Sequence, residues 1–346
     1  MSTAELFEQA DPQRRSFYRA IDAESLSPLW EVIKHLVPPE PRTPCVAVHW
    51  RWALIRERLM QAGALITADE AERRVLVLEN PGLRGKSSAT RSLYAGMQLI
   101  LPGEIAPSHR HTANAIRLVV EGEGAYTGVN GERTPMHPGD FIITPSWTFH
   151  DHGNPGDQAV IWLDGLDVPI VQHFDAGFSE HYPEHSFPQS HPVDDFLSRY
   201  DGLLLPVDYL PGRSSPVFRY PYEHTRAALT RMLANGPIDE CHGVKVRFSH
   251  PGTGGWPTAT MAAFMQLLPA GFTSQDYRST DASVVCVVEG NGVAQVGDQR
   301  IAWGPRDVFV IPSWTPVRHA IQEEAVLFSM SDRPAQQALG LWQEKR

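Results

Sequence analysis

The chain contains an internal repeat, and this repeat constrains the fold more than any other feature. The segments MQL, VVEG and PSWT each occur twice, beginning at 97 and 265, at 119 and 287, and at 145 and 312. The offset is 168 residues in the first two pairs and 167 in the third, which indicates a one-residue deletion in a loop. Two copies of one folding unit in tandem explain these matches.

Each copy has the texture of short β-strands separated by turns. In the first copy the strand-like runs are VLVLEN, SLYAGMQLILPG, AIRLVVEG, GAYTGV, DFIITP and AVIWLDGL. Gly- and Pro-containing turns separate them, and Asn130-Gly131 is a strong signal for a two-residue hairpin. Short strands at this spacing predict a β-sandwich or barrel. The fold class is therefore mainly β, with two tandem barrels.

Helical periodicity is confined to two other regions. SLSPLWEVIKHLV and HWRWALIRERLMQAG have apolar residues at helical spacing, as do VDDFLSRYDG and YEHTRAALTRMLANG. We therefore divide the chain into four parts. These are an N-terminal arm (1–73), a first barrel (74–167), a connector (168–240) and a second barrel (241–346), with the arm and connector predicted to be helical.

Composition excludes several classes of partner. The formal charge of −10 disfavours nucleic acid and anionic membranes. No apolar run reaches the length of a membrane span, and the first residues do not resemble a signal peptide. Three scattered cysteines argue against a disulfide framework and predict a cytoplasmic location. An anionic small substrate would need local attraction, from a metal ion or an arginine.

Three histidines of the first copy form a candidate metal site. His109 and His111 share one face of an extended strand, since alternate residues of a strand point the same way. A hairpin-rich sheet can bring His150 beside them. In the second copy the matching residues are Tyr277, Ser279 and Val317. The second copy keeps glycines, the proline and the tryptophan of the repeat but none of the three histidines. This difference favours a metal-ligand role for His109, His111 and His150.

The ligand set alone leaves the metal open. Three neutral imidazoles accept zinc, iron, manganese, nickel or copper. Because no carboxylate ligand cancels part of its charge, a divalent ion here keeps its full 2+ charge. Such a site suits a chelating, dianionic substrate, and a redox metal would then activate O₂.

Four further side chains are candidates for the same site. Arg117 shares the inward parity of His109 and His111, so it either grips a substrate carboxylate or forms a salt bridge at the rim. Gln98 and His152 are also of inward parity, but they recur as Gln266 and His319, so each has a structural alternative. Asp164 is predicted to orient His152 or a ligand imidazole.

The motifs around these residues resemble the two cupin signatures. Gly103, His109, His111 and Gly122 match the first, and the second is matched by Gly139, Pro145, Trp147, His150 and Asn154. Ala115 stands where many cupins have a glutamate ligand, and Arg117 follows it. With RRVLVLENPGL, LYAGMQLILPGE, APSHRHT, GDFIITPSWTFHDHGN and IWLDGLD, nearly the whole chain resembles the gentisate 1,2-dioxygenase family of bicupins.

This resemblance implies an activity and a site. It implies Fe(II) bound by His109, His111 and His150, in the first barrel only. A small aromatic hydroxy acid would chelate the iron through its carboxylate and hydroxyl, with O₂ as co-substrate, and gentisate would open to maleylpyruvate. The resemblance also places Arg117, Gln98, His152, Asp164 and either Arg73 or Arg74 near the substrate, and it implies a homotetramer.

The ring substituents remain open at this point. Tyr94, Gly96, Val75, Ala113 and Phe149 lie in or beside motifs where relatives differ, and Gly96 is expected to leave room at the ring. Salicylate, 5-substituted salicylates and 1-hydroxy-2-naphthoate are the alternatives to gentisate. Two other classes of function remain, a zinc or manganese isomerase or hydrolase that consumes no O₂ and a non-catalytic bicupin that binds a ligand.

Overall fold

The computed structural model describes residues 11–200 and 204–346, in two compact units divided after Arg42. The first unit contains helices α1 (Pro12–Ala23) and α2 (Leu29–Leu36). Asp11 caps α1 by accepting from the backbone N–H groups of Gln13 and Arg14. Within the described residues, no helix combines the length and the hydrophobicity that a bilayer crossing needs.

The first barrel is built from two sheets. Its strands, after β1 (Val48–Trp50), are β2 (Val75–Val77), β3 (Tyr94–Ile100), β4 (Ile105–His111), β5 (Ala115–Glu121), β6 (Tyr126–Val129), β7 (Glu132–Pro135), β8 (Phe141–Thr144), β9 (His150–Gly153) and β10 (Val160–Leu166). The larger sheet contains β2-β3-β10-β5-β8, and the smaller contains β4-β9-β6-β7. Asn130 and Gly131 both have positive φ between β6 and β7, so the predicted hairpin is confirmed.

The connector contributes helices and two short strands. They are α5 (Val168–His173), β11 (Ser179–His181), α6 (Asp195–Tyr200), β12 (Arg219–Tyr220) and α7 (Tyr222–Asn235). β11 extends the smaller sheet beside β4, and β12 extends the larger sheet beside β8. In the arm, α3 (Trp52–Leu65) and α4 (Ala68–Ala71) are helical as predicted, but β1 is a strand. The helices predicted for the arm and the connector are present, and the short strands β1, β11 and β12 accompany them.

The second barrel repeats the strand order of the first. Its elements are β13 (Val244–Arg247), β14 (Ala262–Leu268), β15 (Arg278–Ser279), β16 (Ser283–Glu289), β17 (Gly292–Val296), β18 (Gln299–Trp303), β19 (Val308–Ile311), β20 (Val317–Ile321), β21 (Ala325–Ser331), α8 (Arg333–Ala338) and β22 (Glu344–Lys345). The order β13-β14-β21-β16-β19-β1 matches β2-β3-β10-β5-β8-β12 strand for strand. The two tandem, mainly-β barrels predicted from the repeat are confirmed.

The main hydrophobic core contains the apolar faces of both six-stranded sheets. Ile116, Leu118 and Leu163 of the first barrel cluster there with Cys286 and Met330 of the second. Because alternate residues of β5 and β10 face this core, the residues between them face the interior of the first barrel. The candidate site residues Arg117 and Asp164 are among those inward-facing positions.

Gly165 packs directly against the Met330 side chain of the second barrel, and we expect Gly165→Ala to be destabilising. A Cβ atom at this position would lie 2.0 Å from the Met330 Sδ atom and 3.2 Å from Ile116 Cγ1. Overpacking a core in this way costs ~1–3 kcal/mol of unfolding free energy. Chemical denaturation measures the loss. Gly304→Ala is the control, since no heavy atom lies within 4 Å of a Cβ there, and an equal loss in both variants would contradict the packing argument.

Candidate metal centre

The three candidate ligands come together inside the first barrel. His109 and His111 lie on β4, and His150 lies on β9 directly opposite His109. One ring nitrogen from each histidine falls within a group whose atoms all lie within 4.8 Å of one another. His150 is 1% exposed, and the other two rings are part-buried. The strand register thus assembles the site that the spacing predicted.

Hydrogen bonds on the far side of two rings turn their Nε2 atoms toward the centre. The Nδ1 atom of His111 lies 2.8 Å from the Ala113 carbonyl oxygen, and Nδ1 of His150 lies 3.0 Å from that of Thr148. A carbonyl only accepts, so each Nδ1 carries the proton and each Nε2 presents a lone pair. The Nε2 atoms of His109 and His150 are 3.1 Å apart. These lone pairs converge as a divalent transition metal requires, so the donor set fits such an ion.

The electrostatic environment keeps the imidazoles neutral. Burial, with smaller contributions from the Arg73 and Arg117 guanidiniums, lowers the pKa of His109 to about 2 and that of His111 to about 4. Burial also holds the pKa of His150 far below its usual range. Neutral rings are the form that binds a metal, so the site is ready for one without a change of protonation.

The second barrel has the same backbone without the nitrogen ligands. Tyr277 pairs with Val317 in a β-bridge at the position where His109 pairs with His150. Trp147 and Trp314, at matching places before these strands, have φ values of 59° and 58°. The scaffold therefore keeps its geometry when the histidines are absent, and the histidines are not needed to form it.

Arg117 and Asp164 form a buried ion pair next to the histidines. They lie opposite each other on β5 and β10, with Arg117 Nε 2.9 Å from Asp164 Oδ1 and both side chains at most 6% exposed. The Thr144 hydroxyl accepts from Arg117 Nη1. Arg117 Nε and Asp164 Oδ1 are not aligned as a hydrogen bond, so the contact between them is an ion pair. The prediction that Asp164 orients a histidine is wrong, because its carboxylate faces Arg117.

His152 is fully buried on β9, at the next inward position after His150. Its Nδ1 atom lies 3.0 Å from the Thr127 hydroxyl, and its ring centroid lies 5.0 Å from that of Trp162. Its Nε2 atom is buried without a hydrogen-bond partner among the described residues. A buried polar atom of this kind is costly unless a ligand or water satisfies it. Thr127 can donate or accept, so Nε2 can present either a proton or a lone pair.

Gln98 and its repeat mate Gln266 differ in their hydrogen bonding. Gln266 Nε2 donates to the His242 carbonyl oxygen over 2.9 Å, which is a structural role. Gln98 is 3% exposed and lies on β3 opposite Trp162, and in the part of the chain that the structure describes its amide has no such bond. The recurrence of glutamine in the sequence therefore does not reflect a shared function.

Of the two neighbouring arginines, only Arg73 reaches the histidines. Its Nη2 atom donates to the Pro107 carbonyl over 2.6 Å and lies 3.5 Å from His109 Nε2. Arg74 instead forms a two-point ion pair with Glu104, at 2.7 and 2.8 Å, and donates to the Ile66 carbonyl. The inclusion of Arg74 among the substrate-binding residues is corrected, since Glu104 and the Ile66 carbonyl already engage its guanidinium.

Tyr94, Gly96 and Val75 form one wall beside the site. A Cβ atom on Gly96 would lie 2.5 Å from Val75 Cγ1 and 2.8 Å from the Tyr94 hydroxyl oxygen. A Cβ atom would therefore clash with both side chains, so the strand requires glycine here. That Gly96 leaves room at the ring stays a prediction. Burial raises the pKa of the Tyr94 phenol, with a smaller contribution from the Asp164 carboxylate, so the phenol stays neutral.

His181, Thr144 and Thr127 belong to the site but were not predicted. His181 lies on β11 opposite His109, with ring centroids 6.2 Å apart. The short run around His181 has no periodicity of its own, so its pairing with β4 left no signal in the sequence. Thr144 lies on β8 and faces the barrel interior, as Arg117 does on the adjacent strand β5. This alternation was the only sign in the sequence that Thr144 could reach the site.

Comparison with known proteins finds relatives that span nearly the whole chain. The family model described as "Cupin domain" matches residues 96–167. The chain is 51% identical to gentisate 1,2-dioxygenase 1 of Aquipseudomonas alcaligenes over 96% of both chains. It is 38% identical to a gentisate 1,2-dioxygenase of Streptomyces sp over 95% of this chain and 94% of that one. The structure of salicylate 1,2-dioxygenase from Pseudoaminobacter salicylatoxidans, an adduct with gentisate, superimposes with a TM-score of 0.91 at 33% identity, covering 97% of this chain and 94% of that one.

Proposed function

Because this chain belongs to the gentisate 1,2-dioxygenase family of aromatic ring-cleaving dioxygenases, we propose that its substrate is gentisate and its metal Fe(II). The reaction would break the bond between the carboxyl-bearing and hydroxyl-bearing ring carbons. Both atoms of O₂ would enter the product, so that gentisate becomes maleylpyruvate. The single observation that carries the proposal is the convergence of three neutral imidazoles next to two arginines, without a carboxylate ligand.

The donor set can hold a redox metal, and membership of a dioxygenase family favours iron among the ions it accepts. His109, His111 and His150 would hold the ion, and Fe(II) when bound would supply the electron exchange that O₂ and an aromatic ring need to react. Ala115 is fully buried on β5 where a glutamate ligand would otherwise stand. The ion therefore keeps its positive charge for an anionic substrate.

Charge near the histidines favours a carboxylate. The guanidiniums of Arg73 and Arg117 both lower the pKa values of the three imidazoles, whereas the Asp164 carboxylate forms an ion pair with Arg117. The remaining positive charge is that of Arg73, within 3.5 Å of His109. We propose that Arg73 and the free edge of Arg117 orient the substrate carboxylate. Burial and charge assistance strengthen such bonds to roughly 1.5–3 kcal/mol each.

The remaining polar groups suit the other substrate oxygens. His152 Nε2 would satisfy its missing hydrogen bond with the ring hydroxyl. The Gln98 amide, on the neighbouring strand β3, is a further candidate for hydrogen bonding to the substrate. Tyr94 and Val75 would lie against the ring. Gentisate is proposed ahead of 1-hydroxy-2-naphthoate because relatives at 51% and 38% identity are gentisate 1,2-dioxygenases. Salicylate and its 5-substituted forms remain the alternative substrates.

Oxygen uptake tests the proposal. Iron-loaded protein is given gentisate, salicylate, 5-nitrosalicylate, 5-chlorosalicylate and 1-hydroxy-2-naphthoate in an oxygen electrode, and ring opening is followed by absorbance. We expect the highest kcat/KM with gentisate. No uptake with any of the five would overturn the activity. Turnover without O₂ after loading with zinc or manganese would favour an isomerase or hydrolase, and iron binding without turnover would favour a non-catalytic bicupin.

His152→Ala should separate substrate chemistry from metal binding. We expect kcat to fall by ~10²–10⁴-fold, the range for a positioned acid–base group, while iron content stays at the wild-type level because Nε2 is not among the converging ligand atoms. Iron analysis and steady-state kinetics check both halves. His319→Ala is the matched control, because His319 is the residue equivalent to His152 in the second barrel. This variant should keep the wild-type kcat. Unchanged kcat in His152→Ala would make its role structural.

The homotetramer and the cytoplasmic location also belong to the proposal. Family membership and three free cysteines support them. Sedimentation analysis tests the first.

A further inference from the structure

The interior of the second barrel is polar although it lacks the three histidines. An inner cavity of about 40 Å³ is lined by Gln266, His319, Ser283 and Ser329 among others. It shares His242, Lys245, Phe264 and Arg333 with an outer cleft of about 770 Å³. The inner cavity has room for about one water-sized group. The cleft has room for a larger body attached to that group.

His319 leaves a hydrogen-bonding atom without a partner in this cavity. The residue is 6% exposed, and its Nδ1 atom is buried with no hydrogen bond to any of the described residues. Burial, with a smaller contribution from Lys245, lowers its pKa to about 4, so the ring is neutral. An unpaired buried polar atom usually marks a water, an ion or a ligand.

Positive charge at the junction of cavity and cleft exceeds negative charge. The Lys245 ammonium lies 4.7 Å from the Phe264 ring centroid, and the Arg333 guanidinium lies 5.1 Å from the same centroid. Asp281 is the adjacent carboxylate, but it pairs with Arg333 at 3.1 Å and accepts from Trp342 Nε1 at 2.9 Å. Two cations thus share one carboxylate. Burial and repulsion by Arg333 lower the pKa of Lys245 to about 8.

The other acidic groups around the cleft are also engaged. Asp239 pairs with Arg346 at 2.7 Å, and Glu344 accepts from the Tyr277 hydroxyl at 2.9 Å. Asp239 and Glu344 both line the cleft. Asp239 attracts Lys245 electrostatically but forms no salt bridge with it. A bound anion would therefore meet Lys245 without displacing an existing salt bridge of that residue.

This arrangement is not a remnant of the metal centre. Lys245 pairs with Gln266 across β13 and β14 as Val75 pairs with Gln98 across β2 and β3, so a lysine occupies the place of an apolar residue. The position of Arg117 is taken by Val285 in the second barrel. The inward cation is therefore on β5 in the first barrel, as Arg117, and on β13 in the second, as Lys245. The two barrels differ in where they place positive charge.

We propose that the second barrel binds a small aromatic carboxylate, with its carboxylate between Lys245 and Arg333 beside the inner cavity. The ring would pack against Phe264 and Trp256, whose centroids are 5.6 Å apart in an edge-on arrangement at the cleft wall. The site is separate from the histidines, so it does not depend on the activity proposed above.

Lysine acylation in the iron-loaded enzyme tests the proposal. The chain has four lysines, at positions 34, 86, 245 and 345, so peptide mass spectrometry resolves each one. Acetic anhydride is applied near pH 8 with and without benzoate, which lacks the hydroxyl needed to chelate a metal. We expect saturating benzoate to slow acylation of Lys245 by ~10-fold, since an adjacent anion stabilises the protonated amine, and to leave the other three rates unchanged.

Two comparisons make the result decisive. In equilibrium dialysis, Lys245→Met should bind one benzoate fewer per chain than wild type, whereas Lys86→Met, changed in an exposed turn, should bind the wild-type number. No protection of Lys245, or equal binding by both variants, overturns the proposal. Equal protection by inorganic phosphate overturns the assignment of an aromatic ligand. If Lys245→Met does not fold, the acylation rates of the wild type still decide.

Discussion

His150→Ala is expected to abolish iron binding and ring opening together. The change removes one of three converging nitrogens, at a position where the ring is 1% exposed and Nε2 lies 3.1 Å from that of His109. Losing even an outer partner of a metal ligand costs ~10–100-fold in affinity or activity. A missing ligand should therefore lower kcat/KM by ~1,000-fold or more. Iron analysis after dialysis and oxygen uptake with gentisate measure the two losses.

The repeat supplies the control for this experiment. Val317 occupies the matching strand position in the second barrel and is 8% exposed. Val317→Ala, which also truncates a buried side chain, should keep both iron and activity. Wild-type iron content in His150→Ala would refute the ligand assignment. Loss of iron in both variants would instead mean that the folds of the barrels depend on each other.

The elements with strong local patterns could be predicted from the sequence. The long strands β3, β5 and β10 each have about seven residues of β-type sequence between turn signals, and the hairpin at Asn130 requires two positive φ values that Asn and Gly accept. The three histidines followed from strand parity and from the repeat. These are local features, so one sequence contained them.

The remainder depends on contacts between distant segments. β1, β11 and β12 have two or three residues each, and they are strands only because a neighbouring edge accepts them. Parity showed that Arg117 faces inward, but the register of β5 against β10 decided that Asp164 faces it. Arg73 and Arg74 are adjacent, so a one-residue choice of register decides which of them reaches the site.

Arg117→Met is expected to impair both substrate binding and stability. Loss of a charge-assisted bond to the substrate carboxylate should lower kcat/KM by ~10–150-fold, corresponding to roughly 1.5–3 kcal/mol. Removing one partner of a buried ion pair also costs ~3–5 kcal/mol of unfolding free energy, because Asp164 is left as an uncompensated charge. Steady-state kinetics and denaturation curves give the two quantities.

The pH dependence of stability gives a further test of this ion pair. Burial raises the pKa of Asp164 from 3.8 to about 6, although Arg117 opposes the shift. The folded state therefore holds the proton more tightly than the unfolded state, and the contribution of Asp164 to stability falls as pH rises from 3.8 to about 6. Without Arg117 the pKa of Asp164 rises further, so in Arg117→Met this fall should continue to higher pH.

A second variant separates the structural role of Arg117 from its role toward the substrate. In Arg117→Met/Asp164→Leu neither charge remains, and replacement of a buried ion pair by apolar side chains is often neutral for stability. We therefore expect this double variant to regain most of the unfolding free energy that Arg117→Met loses. Its kcat/KM for gentisate should stay low, because the carboxylate still lacks its cation. If activity recovers together with stability, Arg117 only supports the barrel, and the substrate carboxylate is left to Arg73 and the metal.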